Sequence, residues 1–306
     1  MKKEIKIFLL FSFSCFLIFL FSFFISYPLG NVLLPHTDFK PSGLMEIHFL
    51  DVNQGNSTLI ILPDGKAIVY DGGKRGNRYS PFDAGKKKVV PFLKKRGIKV
   101  IFAVICSSPD DDHCGGLPEL YKNFKVLNTY DIGLPHTTES YASFLKAVEK
   151  EHGKYILIRE GMLIEADESV LIQCLWPPEP LIKGKNGSNN NSAVLKITYG
   201  DTSVLLPGDI EKPAEKKLLK YAGGLKCSVL LAAHHGSKTS NSETFLKFCS
   251  PDITVISCGK NNPFGHPDAE VLKRLESNSK KLFRTDINGD ISIFSNGTEI
   301  EIFTEK

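Results

Sequence analysis

The sequence contains no C-x-x-C pair, no internal repeat and no biased segment beyond one short Asn/Gly/Ser loop. The missing C-x-x-C pairs argue against a zinc ribbon and against a dithiol redox motif, although seven cysteines are present. Neither sign of charge strongly predominates, because the formal net charge is only +4 over 306 residues. This balance permits a polyanionic partner without requiring one. With 42% hydrophobic and 24% charged residues, the composition is that of a folded protein, not a disordered one.

Only the N-terminus has a long hydrophobic run. Residues 7–27 form an apolar run without a charged residue. The run is long enough to cross a bilayer and longer than the apolar core of a cleavable signal. We therefore expect residues 1–28 to be an uncleaved membrane anchor, with a cleaved secretion signal as the alternative. Three lysines before the run predict that the rest of the chain lies outside the cytoplasm. Residues 29–43 follow as a proline-containing linker, and residues 44–306 are expected to form one domain.

Short β-branched runs alternate with helical stretches through that domain. Examples are the predicted strands "STLIILP", "KAIVYDGG" and "KVIFAVIC", and the predicted helices over "KKVVPFLKKRG" and "DAEVLKRLES". A closing hairpin is predicted over "NGDISIFSNGTEIEIF". This alternation predicts a mixed α/β domain.

Polar residues recur where the predicted strands end. At the carboxyl ends of α/β strands, loops can aim side chains from distant parts of the chain at one point. The residues in question are Asp71, then Asp110, Asp111, Asp112 and His113 within "SSPDDDHCGGL", then Asp209, and last His234 and His235. Each motif alone is compatible with a solvated turn or a buried structural histidine. Their joint occurrence at strand ends favours a common site.

The donor types in this set indicate which metal such a site would bind. Carboxylate oxygens combined with imidazole nitrogens suit zinc or manganese, whereas calcium normally takes oxygen ligands alone. One or two such ions would activate water and clamp the oxygens of a phosphoester. The predicted reaction is therefore hydrolysis.

Six stretches resemble the metallo-β-lactamase-like domain of the DNA-uptake competence protein ComEC family, in order and in approximate spacing. They are "FLDVNQGNSTLIILPDGKAIVYDGG", "SSPDDDHCGGL", "LLPGDIE", "LLAAHHGSKTSNSETFL", "ISCGKNNPFGHPDAEVLKRLE" and "FRTDINGDISI". The resemblance covers roughly Met45 to Phe294. It implies a four-layer αββα sandwich with a metal site at one edge of its two sheets, and a phosphodiesterase or nuclease that uses Zn²⁺ or Mn²⁺.

Individual site residues follow from the resemblance by position. The implied metal ligands are Asp110, Asp112, His113, Asp209 and one or both of His234 and His235, with Asp71 bracing the site loop. Asp112 is also implied in catalysis. Lys238 would meet a substrate phosphate, and His266 would contact substrate or act as a general acid. The alternatives are a solvated lysine and a structural turn histidine.

The chain departs from the family pattern in two places. Ser108 stands where the first histidine of the "HxDxDH" motif is expected, which weakens one of two metal positions. Asn190 and Asn191 lie near where many superfamily members supply a further histidine, but the resemblance leads us to expect asparagine there in this family. A single apolar run cannot form the channel of the full competence protein, so we expect an outward-facing, membrane-tethered hydrolase for DNA or another phosphodiester. The alternative is a metal-poor, non-catalytic module that binds nucleic acid or protein.

Overall fold

A computed structural model describes residues 43–76, 81–184 and 186–306 of the chain. Fourteen strands occur in these ranges: β1 Met45–Phe49, β2 Thr58–Ile61, β3 Ala67–Tyr70, β4 Val100–Cys106, β5 Lys125–Asp131, β6 Lys154–Leu157, β7 Val170–Trp176, β8 Val194–Tyr199, β9 Thr202–Leu206, β10 Val229–Leu231, β11 Ile253–Ile256, β12 Lys281–Arg284, β13 Ile291–Ser295 and β14 Ile300–Thr304. They form two sheets, in the orders β14-β13-β1-β2-β3-β4-β5-β6 and β12-β11-β10-β9-β8-β7.

The two sheets pack face to face over one hydrophobic core. Ile47, Tyr70 and Ile105 from the first sheet lie in the same buried cluster as Leu195 and Leu206 from the second. Strand pairing is parallel from β3 to β6 and from β9 to β12, and antiparallel elsewhere. The predicted α/β sandwich of two sheets is confirmed.

Strand β4 is buried on both faces, which explains its unbroken apolar sequence. Ala103 and Ile105 point into the core between the sheets, whereas Val104 and Cys106 join a second cluster beneath the helices. Adjacent side chains of a strand point to opposite faces, so a strand covered on both sides cannot alternate apolar with polar residues. The helices therefore complete a layer outside this sheet.

The helices in the described ranges are mostly short: α1 Val90–Lys95, α2 Asp111–Cys114, α3 Pro118–Asn123, α4 Glu139–Lys150, α5 Gly187–Asn190, α6 Lys212–Leu218, α7 Glu243–Cys249, α8 Ala269–Asn278 and α9 Thr285–Asn288. Side-chain caps define several helix starts. Thr138 caps α4, Ser242 caps α7, and Asp268 accepts hydrogen bonds from two backbone N–H groups at the start of α8. Helix α5 lies in the Asn/Gly/Ser stretch that we predicted to be a loop.

The glycine pair after His113 lets α2 approach the loop that follows β3. A Cβ atom on Gly116 would lie 2.1 Å from the carbonyl oxygen of Gly72, closer than any real Cβ contact. In the native backbone Gly116 N donates to Gly73 O at 2.8 Å, and Gly72 N donates to His113 O at 2.7 Å. These contacts hold α2 in place at the sheet edge.

Across residues 43–76, 81–184 and 186–306, the structure contains no helix that is both long enough and apolar enough to span a membrane. The predicted anchor at residues 1–28 lies outside the described residues. So does the predicted linker 29–43, apart from Gly43.

Candidate metal centre

Four strand ends bring their following residues to one edge of the sandwich. Asp71 directly follows β3, and helix α2 with Asp112 and His113 follows β4. In the second sheet, Asp209 follows β9 and His235 follows β10. Because β3 runs parallel to β4, and β9 runs parallel to β10, each pair delivers its loops to the same side.

Asp112, His113 and His235 form the tightest group of possible metal ligands among the described residues. One donor atom from each lies within 4.8 Å of the others. His235 Nε2 is 3.3 Å from Asp112 Oδ2, and His113 Nε2 is 4.0 Å from Asp112 Oδ1. The three side chains come from both sheets, so only the folded sandwich assembles them.

Asp209 adds a buried carboxylate to this group. Its Oδ2 atom lies 3.0 Å from His113 Nε2 and 3.8 Å from His235 Nε2. Its Oδ1 atom is buried and has no hydrogen-bond partner. We refer to Asp112, His113, His235 and Asp209 together as the histidine site.

Hydrogen bonds to Nδ1 orient the two imidazole rings of the histidine site. His113 Nδ1 is 2.8 Å from Asp71 Oδ2, and His235 Nδ1 is 2.9 Å from the carbonyl oxygen of Ser257. Because both partners are acceptors, each Nδ1 carries the proton in the neutral imidazole and each Nε2 presents its lone pair. Both Nε2 atoms are buried and make no hydrogen bond in the structure, although Asp209 Oδ2 lies 3.0 Å from His113 Nε2.

Asp71 is itself rigidly held. Its Oδ1 accepts a hydrogen bond from Ser107 N at 2.8 Å, and its Oδ2 accepts one from Ser107 Oγ at 2.7 Å. Its backbone has a φ of 61°, a left-handed conformation that non-glycine residues seldom adopt. The bracing role of Asp71 stays a prediction, and the Asp71 carboxylate links Ser107 to His113.

The electrostatics of the histidine site favour positive charge. Burial by itself lowers the pKa of His113, but the carboxylates of Asp209 and Asp71 outweigh it and raise the pKa well above the ordinary value. Burial opposes the shift at His235 too, where Asp209 and Asp112 raise the pKa. A divalent cation would replace the protons that these carboxylates attract. Two inward lone pairs and two carboxylates therefore fit a divalent metal ion.

Ser108, Asp110 and His136 form a neighbouring group, which we call the serine site. Ser108 Oγ donates a hydrogen bond to Asp110 Oδ2 at 3.1 Å, and His136 Nε2 lies 3.5 Å from Asp110 Oδ1. Both carboxylate oxygens of Asp110 thus already have a polar neighbour. The assignment of Asp110 as a metal ligand stays a prediction, and no tight ligand group within the described ranges includes it.

The asparagines near the expected further histidine have different environments. The Asn191 side chain forms two hydrogen bonds with the backbone of Ile182. Its Oδ1 accepts one from Ile182 N and its Nδ2 donates one to Ile182 O, both at 2.8 Å. Asn190 is buried and donates from Nδ2 to Glu211 Oε2 at 3.3 Å, while its Oδ1 has no hydrogen-bond partner. These contacts are those of loop-supporting residues.

The adjacent histidines of "HHGS" occupy different environments. His235 belongs to the tight ligand group, whereas His234 lies at its edge, with Nε2 3.7 Å from Asp209 Oδ2 and Nδ1 3.8 Å from Glu211 Oε1. His266 also lies at the edge, with ring centroids 5.6 Å from His234 and 6.2 Å from His235. The structure thus favours His235 over His234 as the last histidine ligand.

Lys238 is exposed on the loop that follows His235. Its carbonyl oxygen accepts a hydrogen bond from Lys212 Nζ at 2.9 Å. Its predicted contact with a substrate phosphate stays a prediction.

Three residues near the site were not identified from the sequence. Glu211 lies in "LLPGDIE" and Ser257 in "ISCGKNNPFGHPDAEVLKRLE", but neither was assigned a role, and His136 lies in none of the six stretches. Glu211 had one available signal, because it lies two residues after Asp209 and is an acidic residue that is only 6% exposed. His136 and Ser257 are identifiable only from the three-dimensional arrangement.

Comparison with known proteins places this geometry in context. The family model described as "Metallo-beta-lactamase superfamily" matches residues 50–260. "ComE operon protein 3" of Bacillus subtilis is 32% identical over 260 residues, covering 80% of this chain and 32% of that protein. "Recombination protein 2" of Haemophilus influenzae is 30% identical over 258 residues, covering 84% of this chain and 30% of that protein. The chain thus spans about a third of the length of these relatives.

Solved structures agree on the fold. The metallo-beta-lactamase fold protein YhfI of Bacillus subtilis matches with a TM-score of 0.53 at 12% identity, covering 83% of this chain and 100% of that one. The metallo hydrolase Igni18 of Ignicoccus hospitalis matches with a TM-score of 0.51 at 15% identity, covering 86% and 100%. Two sheets, a ligand group at their edge and a family match over more than half of the sequence lead to one conclusion. The chain belongs to the metallo-β-lactamase superfamily, and its relatives include competence proteins of the ComEC type.

Proposed function

We propose that this protein is a metal-dependent phosphodiesterase that acts on nucleic acid. The observation that carries the proposal is the pair of buried Nε2 atoms, on His113 and His235, that face two carboxylates without hydrogen-bond partners. A buried polar atom without a partner is costly, so its persistence calls for a ligand. A bound Zn²⁺ or Mn²⁺ would supply Lewis acidity that activates water and neutralises charge on a phosphodiester.

In this proposal each residue around the ion has a separate role. Asp112, His113 and His235 would hold the ion, and Asp209 would add negative charge at its centre. Asp71 keeps the His113 ring in the orientation that exposes Nε2. These roles need no movement of the backbone, because both sheets already present the side chains at one edge.

His266 would contact the substrate. Burial, together with His235 and His234, lowers its pKa to about 4. At neutral pH the ring is therefore uncharged and makes a poor general acid, which leaves a hydrogen bond to a phosphate oxygen as its better role. Its Nδ1 atom has no hydrogen-bond partner and is available for that bond. Lys238 would add positive charge near the same phosphate.

The relatives support DNA over other phosphodiesters. One is named "Competence protein ComA" and another "Recombination protein 2". We propose that the chain serves DNA uptake as a tethered hydrolase outside the cytoplasm, held by residues 1–28, with a secreted form as the alternative. The three lysines before the apolar run carry this topology. A reporter enzyme that is active only outside the cytoplasm, fused after Lys306, tests this orientation. An inactive reporter would contradict it.

Hydrolysis is tested with the purified full chain in detergent. The protein receives Mn²⁺ or Zn²⁺ and is offered single-stranded DNA, double-stranded DNA and bis(p-nitrophenyl) phosphate. We expect cleavage that disappears in Asp112→Asn, and metal in the parent by elemental analysis. Cleavage of none of the substrates, together with no bound metal, would overturn the proposal.

One observation favours a second candidate, a metal-poor module that binds nucleic acid without cutting it. Ser108 replaces a histidine, and its hydroxyl donates its hydrogen bond to Asp110. A neutral hydroxyl is a much weaker ligand than imidazole for zinc. If this candidate is right, the native protein contains no metal, and Ser108→His creates metal affinity that the parent lacks. Equal metal content in the two proteins would count against it.

A further inference from the structure

Phe264 is the most exposed of the large hydrophobic residues in the described part of the chain. Its side chain is 63% exposed, and its ring stacks on His266 with centroids 5.6 Å apart and planes 24° apart. The His266 ring thus packs against Phe264, while most of the phenylalanine side chain stays exposed to solvent. Exposure of this extent has a hydrophobic cost, and here the exposed ring packs on His266, which the proposed function places in contact with the substrate.

The loop that carries Phe264 is held rigid by one side chain. Asn262 Oδ1 accepts hydrogen bonds from Phe264 N at 3.2 Å and from His266 N at 3.0 Å. Asn262 Nδ2 donates to Gly259 O at 2.9 Å and also to His266 O. Because both ends of the loop are tied to the same amide, the ring pair is ordered before any ligand arrives. A ligand would then lose little affinity to ordering of the loop.

His266, one member of this stacked pair, also borders a cavity. The cavity has a volume of about 800 Å³, and its lining includes His266, Lys260 and Arg284. His266 belongs to both regions, because its ring lies 6.2 Å from that of His235. Lys260 is exposed, and no carboxylate in the described ranges forms an ion pair with its ammonium group. The exposed ring of Phe264 and the positive charge of Lys260 therefore lie on the same loop as His266, next to the proposed cleavage point.

We infer that Phe264, backed by His266, is a stacking subsite for one nucleobase of a single-stranded nucleic acid. The inference rests on the proposed function and names the substrate class for the same site. An open aromatic face accepts any base through its π surface, whereas phosphodiesters without a ring gain nothing from it. In a duplex both faces of each base are already stacked, so a single strand or a frayed end is the form that fits. Lys260 would meet a neighbouring phosphate.

Binding is measured by fluorescence anisotropy with the full chain in detergent and EDTA present, so that no cleavage occurs. The probes are a labelled single-stranded DNA and the same strand with abasic positions throughout. We expect Phe264→Ala to weaken binding of the normal strand about 5- to 100-fold and to leave the abasic strand unaffected. Phe264→Trp should restore the parent affinity, because tryptophan stacks at least as well.

The matched control is Phe303→Ala on strand β14, where another phenylalanine is 56% exposed away from this loop. It should bind both strands as the parent does. Equal affinity of the parent and Phe264→Ala for the normal strand, including no affinity in either, overturns the inference. So does an equal loss for both probes, since a loss without bases cannot be stacking.

The outcomes separate this inference from the proposed hydrolysis. If Phe264 determines base-dependent binding but no substrate is cleaved with Mn²⁺ or Zn²⁺, the stacking subsite stands and the hydrolase proposal fails. If DNA is cleaved but Phe264→Ala binds and cleaves the normal strand as the parent does, the hydrolase proposal stands and the subsite fails.

Discussion

The histidine site and the serine site lie side by side on one sheet edge and have similar donor types, yet their donors are used differently. In the histidine site, His113 Nε2, His235 Nε2 and Asp209 Oδ1 are buried without hydrogen-bond partners. In the serine site, each oxygen of Asp110 has a polar neighbour, Ser108 Oγ at 3.1 Å and His136 Nε2 at 3.5 Å.

The difference shows that orientation decides which donors can bind a metal, more than residue type does. His113 and His235 bond through Nδ1 to acceptors behind them, so their lone pairs point inwards. His48 provides the reference for a buried histidine outside the site. Its Nδ1 is 2.8 Å from Ser292 Oγ and its Nε2 is 3.0 Å from Glu46 Oε2, so neither nitrogen is left for a ligand.

The largest expected effect comes from removing a ligand of the histidine site. We expect His235→Ala to lower Zn²⁺ affinity by more than about 100-fold, because removing a direct ligand costs more than the 10- to 100-fold typical of outer contacts. Asp110→Ala in the serine site should lower it by less than about 10-fold by the same comparison. Competition titration with a chromophoric chelator measures both. Equal losses in the two variants would erase the distinction between the sites.

A second way to break the comparison is to displace the helix that carries Asp112 and His113. Gly116→Ala places a Cβ atom 2.1 Å from Gly72 O, so the backbone must move. We expect a loss of about 3 kcal/mol in the free energy of unfolding, at the upper end for overpacking, together with weaker metal binding. Urea denaturation measures the stability.

Gly223→Ala is the matched control for that substitution, because a Cβ atom there has nothing within 4 Å. Its stability should stay within about 1 kcal/mol of the parent, as is usual for uncrowded surface sites. If Gly116→Ala is equally harmless, then the close approach of α2 to Gly72 does not position the histidine site.

A smaller loss is expected from the residue behind His113. Asp71→Asn keeps the shape but removes the charge that orients the ring, so Zn²⁺ affinity should fall about 10- to 100-fold. Asp131→Asn is the control, since Asp131 also ends a strand of the first sheet and is buried, but bonds to Tyr141 and Tyr155. Similar affinities for the two variants would contradict an orienting role for Asp71.

The sequence predicted the strand-end residues of the histidine site because the carboxyl ends of parallel strands share an edge. It could not predict which of His234 and His235 faces the group, since that depends on backbone conformation. His234 has a φ of 50° and His235 a φ of 55°, and such left-handed turns cannot be read from "HHGS". Our strand predictions also omitted β5, β6, β7 and β12. Strand β6 is largely exposed, so its pattern lacks the apolar alternation that marks a strand.

The smallest expected effect tests the reference histidine. Burial, and then the charge of Arg96, lower the pKa of His48 to about 4 in the folded protein, against an unfolded value near 6.5. Below pH 6.5 the unfolded chain therefore takes up a proton that the folded protein refuses, so stability falls as the pH decreases towards 4. Between pH 6.5 and 5.5 this contribution is about 1 kcal/mol. His48→Gln should remove that part of the pH dependence in urea denaturation. An unchanged slope in the variant would mean that burial and the charge of Arg96 do not hold His48 neutral. His48 would then no longer serve as the reference for His235.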